Sequence, residues 1–294
     1  MKKKNKRQSS YQHTIHKVIH IILEGEKMSK RILKYPGSKW RMAKDIIALM
    51  PQHKTYIEPF FGSGAVFFHK TPSRIELIND LNHDVVNLFE CIRNDSDHLA
   101  KIVAATPYSR EMYERAIDVS DINDKYEKAA MFLTKCWQGH GFRLSNERTG
   151  WKNDVHGREK MYALHDWYRL PGVILDTAER LRRVQIECRP ALEVIKRFDY
   201  PDVCMYLDPP YILSTRRGKQ YSHEMTEEDH IELLETIVNS QAKIIISGYD
   251  SDLYNEYLKN WAKYKGSSNA EYGLLRSEYV WTNYQADYQM SFGF

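Results

Sequence analysis

Apolar residues along this chain follow a helical spacing in some stretches and a strand spacing in others, and the two alternate. Met42, Ile46, Ile47 and Met50 share one helical face, which predicts a helix over 38–50. Tyr56-Ile57-Glu58 reads as a short strand, followed by the turn Pro59-Phe60-Phe61-Gly62-Ser63-Gly64 and a small apolar helix through Phe68. Ile75-Glu76-Leu77-Ile78 is a second strand ending at Asn79-Asp80, and Asn82 caps a helix carrying Val85, Val86, Phe89 and Ile92. From about Asp95 to Pro171 the rhythm breaks into helical patterns at 112–117 and 126–136, then a loop over 138–156 rich in Gly, Arg, Asn, His and Trp. It resumes at Val173 with a helix to Arg183, a strand Val184-Gln185-Ile186, a helix from Ala191, and the unbroken apolar run Val203-Cys204-Met205-Tyr206-Leu207. Such a run, of strand length, belongs to a strand covered on both faces. A helix over 226–238, a strand Ile244-Ile245-Ile246-Ser247 and an apolar ending over 278–284 complete the pattern.

This alternation predicts an α/β fold, a doubly wound sheet with an inserted, mostly helical domain. The expected division is a basic extension over 1–27, a catalytic domain from 28–95 and 172–294, and an insertion over 96–171. No internal repeat is evident.

Composition narrows the class. With 42% hydrophobic and 28% charged residues in 294, the chain reads as soluble and globular. Its longest apolar runs fall far short of a membrane span. Cys91, Cys136, Cys188 and Cys204 are widely spaced, which argues against a disulfide framework or a zinc site and for the cytoplasm. The net charge of +4 is misleading as a sign of nucleic acid: residues 1–27 alone carry +5, so the remainder sums to −1. Residues 1–27 are too short in their apolar part for a signal peptide, and translation from Met28 would leave them out. The charge that matters is local. Between Lys135 and Arg183 lie ten Lys and Arg against six Asp and Glu.

The candidate chemistry begins where the apolar run over 203–207 stops at Asp208-Pro209-Pro210-Tyr211. Two prolines force the backbone out of the sheet in an extended loop and remove two donors. A carboxylate, a free carbonyl at Pro209 and an aromatic face at Tyr211 can together accept both N–H bonds of a planar amine and stack on its ring. A second candidate is the glycine turn after Glu58. Glycine lets backbone approach a ligand closely at a strand-to-helix turn, and Asp80 lies 18 residues past Gly62 at the end of the next strand. There is no third glycine and no Gly-Lys-Ser/Thr, so neither a dinucleotide nor a triphosphate fits naturally.

Tyr35-Pro36-Gly37-Ser38-Lys39, Glu58-Pro59-Phe60-Phe61-Gly62-Ser63-Gly64 and Asp208-Pro209-Pro210-Tyr211, in that order, resemble the DNA adenine methylase (Dam) family, class D12 N6-adenine methyltransferases that use S-adenosylmethionine. The similarity covers roughly residues 31–290 and implies a Rossmann-like methyltransferase sheet. It implies that Tyr35, Lys39, Phe61, Gly62, Gly64 and Asp80 surround S-adenosylmethionine, with Asp80 on its ribose. It places Asp208, Pro209 and Tyr211 on the target adenine, with Asp208 also near the cofactor, and implies no metal. The base would be flipped out of duplex DNA and stacked on Tyr211. Arg143, Asn146, Arg148 and Trp151 fall in what is the family's target-recognition region, and Arg216 and Arg217 are further candidate phosphate contacts. The implied partners are double-stranded DNA and a cognate restriction endonuclease in a bacterium or phage, with monomeric action. Two alternatives stay open: a methyltransferase on another planar amine, such as cytosine N4 or RNA adenine, and a catalytically silent DNA-binding relative.

Overall fold

β1 (Thr55–Glu58) lies between two parallel neighbours, β2 (Ile75–Asn79) and β4 (Val203–Leu207). β3 (Val184–Glu187) extends the sheet beyond β2, and β5 (Lys243–Tyr249) extends it beyond β4, again in parallel. β6 (Ala262–Lys265) and β9 (Glu278–Thr282) complete a seven-stranded sheet in the order β3-β2-β1-β4-β5-β9-β6, with β9 antiparallel to both neighbours. β7 (Asn269–Glu271) and β8 (Leu274–Arg276) pair only with each other. The structure, a computed structural model, describes residues 31–140, 150–153, 162–213, 221, 223–266, 269–271 and 274–286. Among the described residues no helix is long and apolar enough to cross a membrane.

Every residue of β4 is buried, as its unbroken apolar run requires. Successive side chains point to opposite faces of the sheet and enter two different cores. Tyr56, Cys204, Tyr206 and Ile245 pack on one side; Ile57, Met205, Leu207, Ile244 and Ile246 pack on the other. The first core is covered by α1 (Ala43–Ala48), α2 (Ala65–His69) and α3 (His83–Asn94). Between α3 and β3 run α4 (Ser96–Ala105), α5 (Arg110–Arg115), α6 (Lys125–Gln138) and α7 (Tyr162–Leu181). α8 (Ala191–Arg197), α9 (Glu227–Val238) and α10 (Asp252–Tyr257) cover the second. This is the doubly wound α/β arrangement that the alternating pattern predicts.

Local differences have physical causes. The helix expected over 38–50 is reduced to α1, because Gly37 sits in the left-handed region (φ +67°) and the chain turns before Met42. α7 is one helix of 20 residues that runs through Pro171, where the sequence pattern suggests a break. Proline there removes one hydrogen bond, but Trp167, Leu170, Val173, Ile174 and Leu181 are all buried and hold the helix in place. Glu76, a carboxylate on β2 that is 3% exposed, ties α7 to the sheet: it accepts from Lys70 and from Arg180, whose guanidinium also stacks on Phe67.

Candidate active site

β1 and β4 are adjacent, and the chain winds in opposite directions from them, to β2 on one side and β5 on the other. At such a switch point the loops after the strands part and leave a crevice. Here the loops are the two singled out by sequence, 58–64 after β1 and 208–211 after β4. A cavity of about 240 Å³ opens between them, lined also by residues 35–39, 80–82, 190–192, 221 and 223–225. One water needs roughly 10–15 Å³ of such space, so the crevice suits a ligand of many atoms.

The glycine turn is held by charge and by close packing. Gly62 and Gly64 have φ of +50° and +63°. A Cβ on Gly62 would come 3.1 Å from the Tyr35 ring, and one on Gly64 would overlap the rings of Phe61 and Phe68. The Gly62 N–H donates to Asp80 Oδ2 at 2.7 Å, and the Asn82 N–H donates to Asp80 Oδ1 at 2.8 Å. Burial pushes the Asp80 carboxyl up from its ordinary value, and these two N–H groups oppose that shift. Asp80 therefore shapes the turn as well as lining the cleft. Phe61 is buried against Phe67, Phe68 and Phe89, anchoring the turn to α2 and α3. The Tyr35 side chain is hydrogen-bonded to Asn82, and Ser38 and Ser63 join their hydroxyls at 2.6 Å across the cleft floor.

On the β4 side, Lys39 is the centre. Its side chain is 4% exposed, and its Nζ lies 3.0 Å from Asp208 Oδ1, 3.6 Å from Glu278 Oε1 and 2.5 Å from the Gly37 carbonyl. Burial alone would lower its pKa; the two carboxylates reverse that and raise it. Asp208 keeps 20% of its side chain exposed yet is ringed by protein, and burial pushes its pKa up to about 6 against the pull of Lys39. Glu58, 1% exposed, accepts from the Tyr56 hydroxyl at 2.6 Å, and burial pushes it up to about 8.

Tyr211 departs from expectation. Its ring is 9% exposed and lies outside the cleft lining, with Lys39 4.7 Å above its centroid and Tyr249 edge-on at 4.6 Å. Its hydroxyl donates to Glu278 Oε1 at 3.1 Å. Stacking on a base would require the ring to turn out of this position. Pro209 is buried too, whereas Asp208 and Pro210 line the cleft.

Of the expected DNA contacts, Arg143, Asn146, Arg148, Arg216 and Arg217 lie outside the described residues, as does the extension 1–27. Trp151 is described: it pairs with Gly139 in an isolated bridge and packs on Tyr108, with the Arg110 guanidinium over its ring. Arg110 and the adjacent Lys152 bring it within electrostatic reach of a group of cations that the sequence pattern does not reveal. Burial lowers the pKa of Lys34, and the like charges of Lys152 and Arg31 add to that; Asp166, at 3.2 Å, opposes them. Arg31 likewise faces Arg41. No local motif announces this group, because its members come from three separate segments. Glu278, the first residue of β9, escapes sequence reasoning for the same reason.

Residues 35–270 match the family described as D12 class N6 adenine-specific DNA methyltransferase, most of the chain and all three motif segments. The chain belongs to this family. This methyltransferase is 24% identical over 242 residues to the DNA adenine methylase of Escherichia coli strain K12, covering 79% of this chain and 84% of that one. It is 26% identical over 289 residues to the type II methyltransferase M1.LlaDCHI of Lactococcus lactis subsp. cremoris, covering 90% and 99%. To the type II methyltransferase M.MjaIII of Methanocaldococcus jannaschii it is 25% identical over 259 residues, covering 77% and 87%. The enzyme is a DNA adenine methyltransferase. Its family implies S-adenosylmethionine as donor.

Proposed function

We propose that the cleft between the two loops holds S-adenosylmethionine beside an adenine extruded from duplex DNA, and that Asp208 and the Pro209 carbonyl accept the two protons of its N6 amino group. The chemistry of the lining supports the donor. Asp80 and Asp208 present carboxylates to a ligand carrying a sulfonium and an ammonium, and the Gly62 turn lines the same cleft with the Tyr35 ring packed against it. Tyr35, Phe61, Gly62, Gly64 and Asp80 would hold it, with Lys39 acting through Asp208.

When bound, S-adenosylmethionine supplies an electrophilic methyl group. The protein's task is the nucleophile. An adenine amino nitrogen is weak because its lone pair is delocalised into the ring, and two acceptors on its hydrogens draw it towards a tetrahedral form that localises that pair. Asp208 is suited to this: it projects from the end of a rigid buried strand, and Lys39 fixes one oxygen while the group faces the cleft. That geometry is the observation that carries the reading. The surplus proton of the methylated nitrogen leaves along the hydrogen bond to Asp208.

The stretch 96–171 is proposed as the DNA-recognition insertion in a catalytic domain formed by 28–95 and 172–294. Arg143, Asn146, Arg148 and Trp151 would read the target sequence. Lys34, Lys152 and Arg110, with Arg216 and Arg217, would meet phosphates. The type II names of two relatives support a cognate restriction endonuclease as partner, with the methyltransferase acting as a monomer. The test is nucleoside mass spectrometry on DNA from a methylation-deficient bacterial host expressing the full chain or its Asp208→Ala variant. N6-methyladenine in the first culture alone is expected; equal amounts in both would remove Asp208 from the mechanism.

A further inference from the structure

Lys39 and the Tyr211 hydroxyl have a second carboxylate in common besides Asp208. Glu278 comes from the opposite end of the chain and opens β9, where the sheet fixes its backbone: it sits opposite Tyr249 in β5, and its carbonyl accepts from the Gly266 N–H at 2.7 Å. Its side chain, 23% exposed, places Oε1 3.1 Å from the Tyr211 oxygen and 3.6 Å from Lys39 Nζ. An ammonium has three protons, and three oxygens surround Lys39: the Gly37 carbonyl and Asp208 at hydrogen-bond distance and Glu278 at ion-pair distance. Without Glu278, Lys39 would be free to turn its third proton onto Asp208 and occupy the second oxygen. Tyr211 would be left to donate its hydroxyl to Asp208 as well.

We propose that Glu278 is a positioning residue for methyl transfer: by taking a share of Lys39 and of the Tyr211 hydroxyl, it keeps Asp208 aimed into the cleft with one oxygen free for the target amine. The inference rests on the reading that Asp208 accepts from that amine. The charge of Glu278 also acts on Asp208, as does that of Lys39; Tyr211, Tyr206 and Tyr254 face the same carboxylate, and its charge in turn raises Glu58. Among these, Glu278 raises the proton affinity of Asp208, so its removal moves the ionisation of Asp208 to lower pH.

The experiment measures single-turnover methyl transfer to duplex DNA across pH 5–9, with calorimetric binding of S-adenosylmethionine, for the full-length wild type, Glu278→Gln and Glu278→Asp. Glu278→Gln is expected to bind the donor within about twofold of wild type and to transfer about tenfold to a hundredfold more slowly, the worth of one hydrogen bond to a charged group. Its acid limb should lie at lower pH than that of wild type. Glu278→Asp, which keeps the charge on a shorter arm, should return the limb and recover part of the rate. A rate loss with an unmoved limb would mark a merely structural role and overturn the proposal, as would a wild-type rate in Glu278→Gln. If Glu278→Gln does not fold, Glu278→Asp carries the test: a lowered rate with retained donor binding supports the role, and a wild-type rate refutes it. Failure of the underlying reading is separate, since it would appear as transfer by Asp208→Ala.

Discussion

Replacing Asp80 with alanine separates what this carboxylate does for the protein from what it does for the ligand. The side chain accepts two backbone N–H groups, from Gly62 and from Asn82. Asn82 is 6% exposed, so its N–H would lose its partner in a nearly dry site, at about 1–3 kcal/mol. Gly62 faces the cleft, where water can replace the carboxylate, and about 0.5–1 kcal/mol is a reasonable cost there. The glycine turn, already held at positive φ, would no longer be fixed in its bound shape. If about 2 kcal/mol must then be supplied by the ligand, donor affinity falls roughly thirtyfold. Loss of a ribose contact would add to this. Titration calorimetry of S-adenosylmethionine against Asp80→Ala, with thermal unfolding as a control, measures both parts. Unfolding is expected to fall by no more than about 8 °C for a chain of this size. Asp80→Asn should do no better than alanine, because its amide would point a donor at one of the two N–H groups. A folded Asp80→Ala protein that binds the donor within twofold of wild type would refute the reasoning for both roles.

Other consequences follow from the same geometry. Glu58 is a buried carboxyl whose proton affinity is raised in the folded state, so its stabilising contribution is complete below its ordinary pKa and is lost as pH rises through about 8. Glu58→Gln, which can still accept from Tyr56, should therefore lose less thermal stability than wild type between pH 6 and 9; parallel curves would show that Glu58 ionises freely. Lys34→Ala and Lys152→Ala should weaken binding to all duplex sequences alike and lower the salt dependence of affinity by about one counterion each, while donor binding is unchanged. Unaltered salt slopes in both would remove this cation group from the DNA surface.

Much of the site is legible in the chain itself. The turn 58–64 and the Asp208-Pro209-Pro210-Tyr211 exit stand out because glycine, proline and a fully apolar strand each constrain the local backbone, and the fold brings both to the same crevice. Asp80 is marked by its spacing. Its hold on Gly62 is not, since a hydrogen bond across 18 residues leaves no periodic trace.

Local spacing and residue type are enough to mark the strands 55–58, 75–79, 184–187, 203–207 and 243–249, to show that the sheet is doubly wound, and to single out the motif segments that resemble the D12 family. Strand order is a different kind of property. That β9 enters between β5 and β6 in the opposite direction follows from the folded chain alone, because strand pairing joins distant segments and a period of two says nothing of the partner. That placement brings Glu278 to Lys39, Asp208 and Tyr211 and joins two of the motifs and the start of β9 into one charged cluster. The same holds for the burial of the Tyr211 ring and the gathering of Lys34, Arg110 and Lys152. These depend on which surfaces meet, and that is settled by packing the whole chain around one sheet.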